Sequence, residues 1–288
     1  MASDTPAETS SHPSFSLALG GGGARGLAHI ATLEALDELG VKPRFIAGCS
    51  AGALIGAAYA AGIPGRDLRS HTLDILGNRV ETAKRLMARG AGGITSLFDF
   101  NPFRAAFVDG ETLLEVILPP GVVDEFRLLR IPTLIVATDF YARSEYIFDH
   151  GALRPAIAAS IALPALIAPQ TVDKRVLVDG GLVNPLPVDH LRSRAAITVA
   201  VDVSGNTRNS GDGAPSTTEA MYGAVQIMQH VITQAKLAEH PVDVLIKPDV
   251  AKFRVLDFFK VAEILKASEP AKDELKTKLE AAFTRASL

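Results

Sequence analysis

An α/β fold around a mainly parallel sheet is what this sequence predicts, and three observations carry that prediction. First, a strand-like run, Phe15 to Leu19, passes at once through Gly20 to Gly23 into a helical pattern, Ala24 to Leu39, with Leu27, Ile30, Leu33, Leu36 and Leu39 at helical spacing. Second, Phe45 to Ala47 passes through Gly48 to Gly52 into another Ala-rich helix that ends near Gly62-Ile63-Pro64. A helix that joins two such strands is the crossover of a parallel sheet, and it gathers both glycine turns on one edge. Third, hydrophobic residues are 48% and charged residues 21% of the 288-residue chain, enough to build a large core and to exclude disorder of the whole chain.

The elements follow in order. Gly40 is the natural stop of the first helix. Arg66 to Arg130 holds polar helix-like pieces, the Gly90-Ala91-Gly92-Gly93 run and a Phe cluster, and reads as a helical insertion or cap at about 66–130. Strands return at Thr133 to Ala137 and Tyr146 to Phe148, a buried helix at Pro155 to Ala162, then strands at Arg175 to Val178 and Ile197 to Val203. Ser204 to Thr217 has loop composition. A helix over Glu219 to Leu237, a strand over Val242 to Ile246 and helices over Phe258 to Ala267 and Ala271 to Arg285 complete the pattern, with no internal repeat. Residues 1–14 read as a disordered tail and 15–288 as one domain.

Composition narrows the function classes. The chain has 43 Ala and 24 Gly against 17 aromatic residues. Small side chains suit tight helix–sheet packing, and they also suit packed membrane helices. Two uncharged stretches test the second idea. Residues 45–65 contain Gly48-Cys49-Ser50 where a spanning helix needs large apolar side chains, and residues 155–172 contain Pro155, Pro164 and Pro169. Both are therefore expected to be core. The net charge of −3 gives no basic excess for nucleic acid. Cys49 is the lone cysteine, so no internal disulfide forms and a reducing compartment is expected. The first 14 residues have neither a basic n-region nor an apolar h-region, which makes a cytoplasmic protein the expectation.

Two turns can carry chemistry. Gly48-Cys49-Ser50-Ala51-Gly52 fits G-x-S-x-G between a strand and a helix. A sharp turn there lifts a serine hydroxyl clear, Gly48 and Gly52 leave room for it, and the following helix points N–H groups at developing negative charge. A close-packed turn with no chemistry has the same five letters. Gly20 to Gly26 admits two uses, a phosphate cradle or a set of N–H donors for an oxyanion. It lacks the Lys-Ser/Thr of a Walker loop, and residues 41–50 hold no acidic residue to take a ribose. Arg25 either adds charge to that loop or braces it. A serine nucleophile needs a base. His190, His230 and His240 come late enough for a triad. Asp179, in Val178-Asp179-Gly180-Gly181 directly after a strand, is the other candidate, if burial raises its pKa. Asp-Gly is also an ordinary turn, and Val108-Asp109-Gly110 repeats the letters where Asp109 starts a helix.

Four ordered blocks carry a resemblance over about Phe15 to Val203. They are Gly21-Gly22-Gly23-Ala24-Arg25-Gly26, Gly48-Cys49-Ser50-Ala51-Gly52, Ala159-Ser160-Ile161-Ala162-Leu163-Pro164 and Asp179-Gly180-Gly181, and the sequence resembles the compact bacterial members of the patatin-like phospholipase family. The resemblance implies a three-layer α/β/α sandwich, a Ser–Asp dyad without histidine, and hydrolysis of lipid acyl esters of the phospholipase A or lysophospholipase type, with no cofactor and no metal. By position, Ser50 is then the nucleophile and Asp179 the base. The N–H groups of Gly22 and Gly23, with neighbouring Gly21 and Arg25, form the oxyanion hole. Cys49 stands where Thr is more usual and is expected to pack in the elbow.

Phe98, Phe100, Phe103 and Phe107 lie within ten residues, as ordinary core or as an acyl-binding wall, and Phe258 and Phe259 can add to such a wall. Lys84, Arg85, Arg89 and Arg104 suit a solvated face or anionic head groups. The partners expected are a lipid or fatty-acyl ester and a peripheral membrane contact. Two rivals share these residues. One is an acyltransferase or thioesterase with the same dyad, and the other a non-catalytic nucleotide- or phosphate-binding module using Gly20 to Gly26.

Overall fold

The computed structural model describes residues 12–88, 108–204, 214 and 216–288. The Phe cluster at Phe98, Phe100, Phe103 and Phe107, the cations Arg89 and Arg104, and residues 1–11 of the expected tail lie outside the described residues. His12 is described and stacks on Phe283 at 4.9 Å between ring centroids.

The strands are β1 (Phe15–Leu19), β2 (Phe45–Cys49), β3 (Thr133–Asp139), β4 (Ser144–Phe148), β5 (Gln170–Val172), β6 (Arg175–Asp179), β7 (Ile197–Val201) and β8 (Val244–Ile246). They form one sheet in the order β5-β6-β3-β2-β1-β7-β8, with β4 also paired to β3. β3, β2, β1, β7 and β8 run parallel, while β4, β5 and β6 join by antiparallel pairing. The sheet is therefore mixed and mainly parallel. The three-residue β5 follows Pro169 and was not separable from loop in the sequence.

The helices are α1 (His29–Glu38), α2 (Ala51–Ala60), α3 (Gly65–Leu76), α4 (Arg79–Ala88), α5 (Gly110–Ile117), α6 (Leu153–Ser160), α7 (Thr217–Glu239), α8 (Val261–Ser268) and α9 (Pro270–Ala286). The region expected to be a helical cap indeed holds α3, α4 and α5. The predicted helix Ala24 to Leu39 is split, because Gly23–Ala28 is a 3-10 turn. The cause is the glycine loop: Arg25 N–H bonds back to Gly22 O and Ala24 N–H is drawn to Val255 O, so a regular α-turn starts only at His29. Gly40 closes α1 at φ +69°, the left-handed position that glycine takes without strain.

Period-two alternation divides the core. Phe15, Leu17 and Leu19 of β1 face a thick helical layer with Ile30 and Leu33 of α1, Ile157 of α6 and Leu275 of α9. Ala18, Ala47 and Ala200 face the other side, a thin layer of Leu186, Val188 and Leu191 with Leu237 of α7 packed on it. Small residues on that face let the thin layer sit close. The result is a three-layer α/β/α arrangement of unequal thickness.

β3 positions the site. A strand has two edges, and β3 has three partners. β4 pairs along Ile135–Asp139 and so occupies one edge. β2, opposite Thr133 to Val136, and β6, opposite Ala137 to Asp139, must share the other. β2 runs parallel to β3 and β6 antiparallel, so their C-terminal ends meet head-on, with Cys49 opposite Val136 and Asp179 opposite Ala137.

Candidate active site

Ser50 follows Cys49 at that junction, with φ 52° and ψ −121°. A non-glycine residue there is strained, and the surroundings hold it. Its N–H donates to Ser160 Oγ at 2.8 Å, and Ser160 Oγ donates in turn to Val136 O at 2.6 Å. A Cβ on Gly48 would lie 2.7 Å from Ala53 Cα, so the turn closes only with glycine at that position. Cys49 is buried, and burial holds its thiol well above the usual range, so it stays protonated beside Ser50.

Ser50 Oγ donates to Asp179 Oδ2 at 2.6 Å. The carboxylate's other oxygen accepts Gly181 N–H at 2.8 Å. Its backbone is held as firmly, since Asp179 N–H donates to Ala162 O at 3.0 Å and Thr138 Oγ1 donates to Asp179 O at 2.8 Å. Ser160 and Ala162, from one block of the sequence, thus grip both halves of the pair. That block had been assigned no role of its own from the sequence. Burial raises the Asp179 pKa to about 6, against the opposing effect of the Ser50 and Gly181 hydrogen bonds.

The glycine loop crosses the same edge, and its donors are unequally free. Gly20 N–H bonds to Val201 O, Gly21 N–H to Pro185 O, Ala24 N–H to Val255 O and Arg25 N–H to Gly22 O. Among the described residues, the N–H groups of Gly22 and Gly23 have no acceptor, and both residues line a cavity of about 110 Å³ with Ser50 and Asp179. Gly21, the neighbour named with that pair in the sequence, spends its N–H on Pro185 O and packs 3.3 Å from Ser50 Cβ, counted from where its own Cβ would sit. Arg25 is the loop's cation. Its side chain is buried, its pKa is lowered to about 10 by that burial, and the charge of Asp202 partly offsets the effect. His29 braces it from behind. Its Nε2 lies 2.7 Å from Gly20 O, and burial lowers its pKa to about 4, so the ring is neutral with the proton on Nε2.

Helix α7 contributes Tyr222, Gln226 and Gln229 to the cavity, side chains the sequence did not mark. The histidines go elsewhere. His190 Nε2 is 3.0 Å from Glu145 Oε2, and that contact raises its pKa. Glu145, Asp189 and His190 bring their donor atoms within 4.8 Å of one another. Asn184 Nδ2 donates to both carboxylates and Lys236 pairs with Asp189, so the cluster is an internally paired network. Phe258 lines the cavity, whereas Lys84 and Arg85 belong to α4.

A family model for patatin-like phospholipase matches residues 17–192. An uncharacterized NTE family protein of Mycobacterium tuberculosis is 38% identical over 214 residues, covering 73% of this chain and 54% of that protein. Patatin-like phospholipase domain-containing protein 6 of Homo sapiens is 31% identical over 192 residues, covering 66% of this chain and 13% of that protein. The crystal structure of VipD from Legionella pneumophila aligns with a TM-score of 0.48 at 13% identity, over 94% of this chain and 67% of that one. The chain spans about half the length of the mycobacterial relatives it matches, at 54%. Among the described residues, no helix is long and apolar enough to cross a membrane.

Proposed function

The chain belongs to the patatin-like phospholipase family, and we propose that it is a serine acyl hydrolase that cleaves fatty-acyl esters of lipids with Ser50 as nucleophile and Asp179 as base. The contact between Ser50 Oγ and Asp179 Oδ2 carries this reading, in a cavity where the Gly22 and Gly23 N–H groups are free. The Asp179 carboxylate takes the Ser50 proton as Oγ attacks the ester carbonyl. The carbonyl oxygen becomes an oxyanion, held by the two N–H groups. Collapse breaks the ester C–O bond, and the leaving alkoxide takes the proton from Asp179. Water, deprotonated by the same carboxylate, then attacks the acyl-enzyme and frees the fatty acid and Ser50.

A carboxylate raised to about 6 supports this use, because near neutral pH it is ionised and still basic enough to share the serine proton. The same carboxylate, beside the free N–H groups, disfavours a phosphate ligand there. One apolar cluster reaching from Phe15 to Phe283 supports treating 15–288 as a single catalytic unit. A fluorophosphonate probe tests the reading. Wild type should be labelled and Ser50→Ala should not. Unlabelled wild type, or a label that persists on Ser50→Ala, overturns it.

A further inference from the structure

A second cavity of about 160 Å³ lies beyond the first. The two share eight lining residues, among them Ala51 and Leu54 of α2, Leu113 and Ile117 of α5, and Leu166 and Ile167 beyond α6, so a partition of these side chains divides and joins them. From that partition the second cavity runs away from Ser50, between α2 and α3, as far as Thr82 of α4. Ala58 of α2 and Thr72, Ile75 and Leu76 of α3 border this remote part and do not reach the first cavity.

The chemistry of its wall is one-sided. No Asp, Glu, Lys or Arg lines it among the described residues. Two of its polar side chains turn to the backbone: His71 Nε2 lies 3.1 Å from Ile117 O, and the Thr82 hydroxyl bonds to Ile75 O. Such a wall offers no counter-charge to an ionic ligand and few free donors to a sugar or amide. What it favours is hydrocarbon, which gains by leaving water and asks for no hydrogen bond. An ordinary core position would be filled by protein side chains instead.

We propose that this second cavity is the acyl-chain chamber. The ester carbonyl sits at Ser50, the chain passes Ala51 and Leu54, and its tail lies against α3, where Thr72 and Leu76 set the longest chain accepted. The placement of the carbonyl rests on the hydrolase reading, whereas the binding of a hydrocarbon chain does not.

Two measurements separate the two ideas. The first is binding of cis-parinarate, a fluorescent long-chain fatty acid. The second is kcat/KM for p-nitrophenyl esters from butyrate to palmitate. Thr72→Phe and Leu76→Trp enlarge half-buried residues at the remote wall, and thermal melting checks that each folds. Each methylene kept out of an apolar site costs about fourfold in affinity, so displacing two or more should weaken parinarate binding and lower the palmitate-to-butyrate ratio by about tenfold or more. Folded variants that leave both quantities unchanged overturn the proposal, as does a wild type that does not bind parinarate. Parinarate binding that is weakened by the variants, in a protein that cleaves no ester, upholds the chamber and overturns the hydrolase reading alone.

Discussion

Val108-Asp109-Gly110 and Val178-Asp179-Gly180 are the same three residues, and in both the aspartate accepts a backbone N–H at the start of a helical turn. Asp109 Oδ2 takes Thr112 N–H at 2.8 Å and caps α5. Asp179 Oδ1 takes Gly181 N–H at 2.8 Å and caps a 3-10 turn. Their surroundings differ. Asp109 is exposed, and the oxygen that takes Thr112 N–H also accepts the Thr112 hydroxyl. Asp179 is 3% exposed, and its second oxygen meets Ser50. Capping is a property of the local letters. Basicity depends on burial, and that is set by β3, α6 and the glycine loop, all remote in sequence.

The sharpest way to break the comparison is to remove both charges. Asp179→Asn keeps the shape and the Gly181 contact but cannot accept the serine proton, so kcat should fall by about 10²–10⁴-fold. Asp109→Asn should leave kcat within about twofold, since its carboxylate bonds to Thr112, which does not line the cavity that holds Ser50. Assayed side by side on one short-chain ester, equal losses in the two variants would remove the distinction drawn between the two aspartates.

A smaller effect sharpens it. With Asp179 at about 6, kcat/KM should rise with pH through about 6 and flatten above, following the ionised carboxylate. Stability should run the other way. The folded pKa of about 6 lies above the ordinary 3.8, so the native state holds the proton more tightly between those values. The stability this group contributes is therefore full below about 4 and is lost as pH rises through about 6. Asp179→Asn should accordingly melt several degrees above wild type at pH 8, with the gap closing toward pH 4. A wild type that instead gains stability relative to Asp179→Asn on going from pH 4 to pH 8 would show that the buried charge is favourable to the fold.

The same contrast shows how far the sequence could be read. Strand–turn–helix repeats, the two glycine turns and the four ordered blocks were legible because each is a local pattern. What occupies the neighbouring loop N–H groups was not, since the acceptors of Gly20 and Gly21 are Val201 and Pro185, far along the chain. The service of Ser160 was hidden for the same reason: it joins Ser50 to Val136, and none of the three predicts the others. The residues of the second cavity read as core, because Leu27, Ile30 and Ile55 have the spacing of any packed helix and an unfilled space leaves no mark in a sequence.

The smallest effect belongs to the other aspartate. Asp109→Ala removes the N-cap of α5, and such losses cost about 1 kcal/mol. For a chain of this size that lowers Tm by roughly 2–4 °C. Because Leu113 and Ile117 of α5 stand in the partition between the two cavities, fraying should be felt there before it reaches Ser50. The variant should therefore keep its rate on a butyrate ester and show a modestly raised KM for palmitate. A matching fall in kcat on both esters would mean that α5 supports the nucleophile itself, and that the capping aspartate and the buried one are energetically one unit.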